Sequence, residues 1–139
     1  MAEPQLILVT GASGFVGKWC VVKLLEKGYR VRGTVRTDAK AAQVQETVAR
    51  EVGLDKAANL ELVKADILDD KGWPEAMACV DAVMHVATDI RADEPRDQSV
   101  VIRPAIEGTA RALKFAQQAG IKRVILTSSI ATVGYGHGQ

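Results

Sequence analysis

Three glycines, at positions 11, 14 and 17 of the stretch TGASGFVG (Thr10–Gly17), are spaced to bend a backbone around a phosphate. Gly11 permits a tight exit from a strand, Gly14 lets main chain approach a pyrophosphate, and Gly17 lets a helix pack closely on a sheet. The helix that follows would offer free N–H groups and its positive dipole end to the phosphates. A second set of reactive groups closes the chain. The stretch TSSIATVGYGHGQ (Thr127–Gln139) carries the adjacent hydroxyls of Ser128 and Ser129 and the phenol of Tyr135. Hydroxyl donors of this kind serve where negative charge builds on a carbonyl oxygen. His85, His137, Cys20 and Cys79 show no metal-ligand spacing, so no metal site is expected. His85 lies between apolar residues and reads as a packed, hydrogen-bonded strand histidine rather than a catalytic base.

These groups need elements to position them. Gln5–Thr10 is a short apolar run ending at glycine, as in a strand buried on both faces. From Gly14 to Lys27 apolar residues recur at helical spacing, and Gly28 follows as a stop. Arg30–Arg36 alternates like a strand, and Asp38–Val52 reads as a helix capped by Asp38. Leu60–Lys64 is a third strand, followed by a turn over Asp66–Gly72 and a short helix around Trp73–Cys79. Asp81–Val86 is a fourth strand, and a polar loop spans Asp89–Arg96. A long helix runs from about Gln98 to Ala119, with a late start or a kink expected near Pro104. Lys122–Thr127 is a fifth strand. The alternation predicts an α/β fold of the Rossmann type, a doubly wound parallel sheet of order 3-2-1-4-5. The ligand is then expected at the switch between the first and fourth strands.

The tip of the second strand selects the cofactor. An acid there suits the ribose hydroxyls of NAD, and an arginine suits the 2′-phosphate of NADP. This strand ends in Val35-Arg36. Arg36 can fork onto a phosphate, and Lys40, one helical turn on, could add a point charge. The alternative is that both are solvated surface residues, and Asp38 could instead contact a ribose. Past the third strand, Asp66 could accept from an adenine amino group while Ile67 packs on the ring, or Asp66 could serve as a helix cap or turn residue. Small residues in Val86-Ala87-Thr88, at the end of the fourth strand, leave room for a cofactor beside the glycine turn.

The chain has 139 residues, enough for one domain that buries roughly two-thirds of its unfolded surface. An apolar fraction of 47% and a charged fraction of 25% are those of an ordinary globular protein. A net charge of +1 without a basic block points to neither nucleic acid nor an acidic membrane surface. The absence of a signal-like N-terminus or a long apolar run, and two isolated cysteines, suggest a cytoplasmic location without membrane association.

Taken together, TGASGFVGKWCVVKLLEKGYRVRGTVR, KADILDD, HVAT, IRPAIEGT and RVILTSSIATV resemble the extended short-chain dehydrogenase/reductases over almost the whole chain. The likeness is strongest to the branch of dihydroflavonol reductases, cinnamoyl-CoA reductases and microbial aldehyde/ketone reductases. It implies an NADPH-dependent reductase of a small-molecule ketone or aldehyde. Under it, Gly11, Gly14 and Gly17 form the pyrophosphate turn, with Ser13 and the Phe15 and Val16 amides. Arg36 and Lys40 take the 2′-phosphate, and Asp66 and Ile67 the adenine. Val86, Ala87 and Thr88, with Thr127 and Ser128, contact the cofactor at the strand ends. Ser129 is the catalytic serine that orients the substrate carbonyl.

In that family a tyrosine supplies the proton, and a lysine four residues later lowers its pKa. Here the residues four beyond Tyr29 and Tyr135 are Gly33 and Gln139, so neither begins Tyr-x-x-x-Lys. Strand five, with Val124, Ile125 and Leu126 in succession, would also be a bare apolar edge. The expectation is an N-terminal dinucleotide-binding domain over residues 1–139. The rest of the polypeptide, or a complementary C-terminal chain, would be its partner. A nucleotide-sugar epimerase or dehydratase, and a non-catalytic NADP-sensing module, are the competing readings.

Overall fold

A computed structural model describes residues 3–89, 96–136 and 138. Five strands form one parallel sheet: β1 (Leu6–Val9), β2 (Arg30–Val35), β3 (Leu60–Lys64), β4 (Ala82–His85) and β5 (Val124–Leu126). Their order is β3-β2-β1-β4-β5, as the alternation of apolar runs predicts. The helices are α1 (Phe15–Glu26), α2 (Asp38–Val52), α3 (Leu54–Ala57), α4 (Trp73–Met77), α5 (Ser99–Gln118) and α6 (Ala131–Gly134). Most of the loop expected at Asp89–Arg96 lies outside the described residues, as do His137 and Gln139.

Every residue of β1 is buried, because helices cover the sheet on both faces. On one face Val9, Val31 and Val35 pack with Val21, Val22 and Leu25 of α1 and Val44 and Val48 of α2. On the other, Leu6, Leu8 and Val83 meet Trp73 and Met77 of α4 and Ala112, Phe115 and Ala116 of α5. Trp73 stacks on Phe115 with ring centroids 6.1 Å apart. Burying a side chain of this size contributes roughly 1.5–3 kcal/mol, so this pair is a main anchor of the second face.

Several local expectations change. Arg32, which the alternation of β2 would leave on a polar face, is buried. Its Nη1 donates to the carbonyls of Glu75, Ala76 and Ala78, and its Nε pairs with Glu61 at 2.9 Å. It thereby adds donors to the carbonyls at the end of α4, where the Glu75 carbonyl also accepts from the Ala78 amide at 3.3 Å. The cap of α2 is Thr37, not Asp38: the Thr37 hydroxyl accepts from the Lys40 amide, and Asp38 is the first helical residue. Thr37 takes the role because its extended backbone aims the hydroxyl back at the first turn. No late start occurs at Pro104, since α5 begins at Ser99 and runs through it. A proline this near the first turn removes one hydrogen bond, to a carbonyl of the exposed Val100. The single turns α3 and α6 have no counterpart in the sequence reading, and α6 buries no residue. At the sheet edge Ile125 and Leu126 are half exposed, as expected of an uncovered strand.

The turn between β1 and α1 is built around a backbone contact. A Cβ placed on Gly17 would lie 2.1 Å from the carbonyl oxygen of Gly11, which cannot move aside as a flexible side chain could. Gly17→Ala is therefore expected to destabilise the fold by about 2–3 kcal/mol, the range of severe overpacking. The urea midpoint of unfolding checks this, and an unchanged midpoint would show that α1 can shift freely.

Candidate functional site

The carboxyl ends of the strands meet at the gap between β1 and β4, where the strand order reverses. Thr10, at the end of β1, is buried and its hydroxyl binds three groups. The amides of Val86 and Ala87 donate to Oγ1 at 2.9 and 3.0 Å, and Oγ1 lies 2.9 Å from Nδ1 of His85. A hydroxyl oxygen has two acceptor sites and one proton. With both acceptor sites taken by amides, the proton goes to Nδ1, which fixes His85 as the neutral ring with its hydrogen on Nε2. Burial agrees, holding the His85 pKa below the ordinary value of 6.5. This is the packed, hydrogen-bonded histidine expected from its apolar flanks.

The same turn is tied to β2. The Gly11 amide donates to the Thr34 hydroxyl at 2.9 Å, and the Ala12 amide to the Thr34 carbonyl at 3.0 Å. Gly11 adopts φ +69, and a Cβ there would meet Ala87 Cα at 3.0 Å, so the strand exit and the end of β4 touch. Gly14 caps α1 without any side-chain hydrogen bond, and no acid occupies the first turn of the helix. Hydrogen bonding within α1 begins with Lys18 donating to the Gly14 carbonyl, leaving the amides of Phe15, Val16 and Gly17 facing out of the helix end. The side chains of Phe15 and Val16 are exposed.

One cleft gathers six of the residues singled out from the sequence: Gly11, Ser13, Arg36, Asp66, Ile67 and Ala87. Thr34, Val35, Ala65, Leu68 and Asp89 also line it, and the sequence reading did not include them. Thr34 and Val35 precede Arg36 and were legible as strand residues whose C-terminal end reaches the site. Arg36 is exposed and, among the described residues, makes no hydrogen bond or ion pair. It also borders a neighbouring cleft with Lys64, Lys71 and Glu75. Asp38 does not line either cleft; its carboxylate pairs with Lys64 Nζ at 3.1 Å. Asp66 takes the turn role that was one of its expected alternatives. Its Oδ1 accepts from the Leu68 amide at 3.0 Å, making a tight turn, while the residue stays on the cleft wall.

The remaining candidates lie apart from that cleft. Lys40 is exposed on α2, with Nζ 3.4 Å from Gln43 Oε1. Val86 reaches the site only through the Thr10 contact of its amide, and Thr88 is exposed. Thr127 extends the β5 pairing by donating its amide to the His85 carbonyl at 3.1 Å. Thr127, Ser128 and Ser129 are exposed at the end of β5. Ser129 Oγ accepts from the Ala131 amide at 3.2 Å, and its carbonyl accepts from Thr132, the second residue of α6. That turn uses the acceptor side of the Ser129 hydroxyl, and its proton stays available to donate outward. Tyr135 is exposed beyond α6. Among the described residues no group of three or more His, Cys, Asp or Glu is placed to hold a metal, and no helix is long and apolar enough to cross a membrane.

Comparison with known proteins places this geometry in context. The model of the NAD dependent epimerase/dehydratase family matches residues 7–139. Dihydroflavonol 4-reductase of Hordeum vulgare is 38% identical over 91% of this chain, which covers 35% of that protein. Cinnamoyl-CoA reductase 1 of Petunia hybrida is 40% identical over 93% of the chain, which covers 36% of its length. The structure of Gre2 from Candida albicans in complex with NADPH matches with a TM-score of 0.77 and 28% identity, covering 92% of this chain and 38% of that one. The chain thus spans little more than a third of the relatives it matches.

The His85 environment has a consequence for stability. A histidine held neutral in the folded state contributes stability that is complete above its unfolded pKa of about 6.5 and is lost as pH falls towards its lower folded value. Stability is expected to decline as pH falls below about 6.5, by at most ~1.4 kcal/mol per pH unit from this group. The decline should be shallower in His85→Gln. Urea unfolding across that range measures it, and parallel pH profiles for the two proteins would refute the assignment.

Proposed function

The chain belongs to the NAD dependent epimerase/dehydratase family, and on that premise we propose that it binds NADP and serves the reduction of a ketone or aldehyde to an alcohol. The observation that carries the cofactor assignment is Arg36. Among the described residues it is without an ion-pair partner at the tip of β2 on the wall of the cleft, while the neighbouring acid, Asp38, is engaged by Lys64. A guanidinium in that place is matched to a 2′-phosphate, and an NAD-binding site would carry an acid there. The same feature disfavours a nucleotide-sugar epimerase.

The glycine turn fits a pyrophosphate for a reason separable from the fold. Gly14 has an ordinary φ of −74, and a Cβ on it would meet only the Gly11 carbonyl oxygen, at 3.4 Å. Packing therefore does not demand glycine at 14, but a phosphate resting against the uncapped start of α1 would. Phe15 and Val16 supply the amides, Ser13 the cleft wall, and Asp66 and Ile67 the adenine side. Ala87 keeps the space above β1 open. Val86, Thr88, Thr127 and Ser128 are assigned to the nicotinamide end, and Lys40 adds positive charge near the 2′-phosphate from the surface of α2.

NADPH, when bound, supplies the hydride. Ser129 is assigned the part of orienting the substrate: its free hydroxyl proton donates to the carbonyl oxygen and stabilises the charge that grows there. The relatives' additional length is where the proton donor and most of the substrate pocket of a complete reductase are assigned. Residues 1–139 then form the cofactor-binding domain.

Two variants test the parts separately. Arg36→Ala is expected to weaken NADPH by about 1.5–3 kcal/mol and leave NADH nearly unchanged. Fluorescence titration reads both, and equal losses would remove Arg36 as the phosphate reader. Ser129→Ala should leave NADPH affinity intact and, in a full-length reductase that contains this domain, lower kcat for carbonyl reduction about 100- to 1,000-fold. Undiminished turnover in that variant would exclude Ser129 from the chemistry.

A further inference from the structure

The loop between β3 and α4 brings Asp66, Ile67 and Leu68 to the cleft, yet it is fastened from behind by α5. Four ties run between them. Gly108 presses its backbone on Ile67, since a Cβ there would lie 3.0 Å from Ile67 Cβ and 3.1 Å from its Cδ1. Arg111 Nη1 donates to the Ile67 carbonyl, and Arg111 Nε to Asp70 Oδ1 at 2.5 Å. Phe115 stacks on Trp73, whose indole N–H donates to the Asp66 carbonyl at 2.8 Å. Lys114 adds a weaker contact to Asp70 at 3.3 Å.

Of these ties Arg111 alone grips the loop at two points by hydrogen bonds, and its side chain is only 18% exposed. A planar guanidinium can serve a carbonyl and a carboxylate at once, whereas a lysine ammonium replaces one contact with loss of the fixed fork. The two acceptors flank Leu68 and Asp69, so the grip sets where Ile67 and the Asp66 carboxylate stand on the cleft wall.

We infer that Arg111 is a positioning residue for adenine recognition, holding the Asp66–Leu68 segment in its binding shape from the far side of the loop. The inference rests on the dinucleotide reading above. A loop already ordered loses less freedom when the ring docks, so Arg111 strengthens binding without touching the ligand. Because the adenine is common to both nicotinamide cofactors, its removal acts on them alike, unlike removal of Arg36.

Titrations of the purified protein with NADPH, NADH and 2′,5′-ADP test this. Arg111→Met is expected to weaken all three by a similar factor, about five- to tenfold, with the NADPH-to-NADH ratio unchanged. Arg111→Lys should recover part of the loss. Unchanged dissociation constants well below the melting temperature, with only the melting temperature lowered, would overturn the inference by reducing Arg111 to a structural role. A loss confined to NADPH would overturn it too. If Arg111→Met does not fold, the exposed substitution Asp70→Asn decides: a parallel loss of about two- to threefold supports the inference, and no change refutes it. Wild-type protein that binds neither NADPH nor 2′,5′-ADP would defeat the cofactor reading itself. Wild-type binding with unaltered variants defeats only the role of Arg111.

Discussion

A single hydroxyl, Thr10 Oγ1, joins the ends of β1 and β4 where the strand order reverses, accepting from the Val86 and Ala87 amides and donating to His85. The reversal leaves the backbone at these strand ends without neighbours in the sheet. Buried amides there would each cost about 1–3 kcal/mol if unpaired. The threonine satisfies two of them and holds Ala87 against Gly11. On the other side the Thr34 hydroxyl takes the Gly11 amide, so the turn is fastened to both flanking strands. The glycine turn is rigid on its sheet side and open on the other, as the proposed phosphate site at the helix start requires.

Around that point the cleft has a division of labour. Gly11 and Gly17 are glycines because the fold is crowded there, and Gly14 is a glycine with room to spare. The acids near the mouth are mostly occupied: Asp38 by Lys64, one oxygen of Asp66 by the Leu68 amide, and Asp70 by Arg111 and Lys114. The last pairing holds the Asp70 carboxyl below the usual carboxylate range, chiefly through the hydrogen bond from Arg111. Among the described residues Arg36 has no hydrogen-bond or ion-pair partner at the strand tip, which suits the proposed phosphate ligand better than a ribose.

Much of this was legible in the residues because it depends on short-range rules. An apolar run that stops at Gly11, followed by helical spacing, specifies a buried strand, a turn and a helix with little ambiguity, and the alternation then dictates the sheet order. Arg36 was legible for the same reason, since its position follows from the end of β2. What was hidden depends on contacts distant in the chain. Arg32 looks like a surface residue of an alternating strand until the end of α4 places three carbonyls within its reach. Thr37 displaces Asp38 as the cap on the strength of its backbone angle, which no composition rule reports. Lys40 has the right spacing in sequence, but α2 carries it off the cleft wall. Arg111 gave no signal because its partners, Ile67 and Asp70, belong to a loop 44 and 41 residues earlier in the chain.

In the proposed complex a dinucleotide lies across the carboxyl ends of β1, β2 and β4 with its pyrophosphate at the start of α1. Amide chemical shifts of isotope-labelled protein titrated with NADPH test it directly. Saturable shifts centred on Phe15, Val16, Arg36, Ile67 and Ala87 are the predicted result. Saturable binding that leaves the Phe15 and Val16 amides unmoved, or no binding at all, would contradict it.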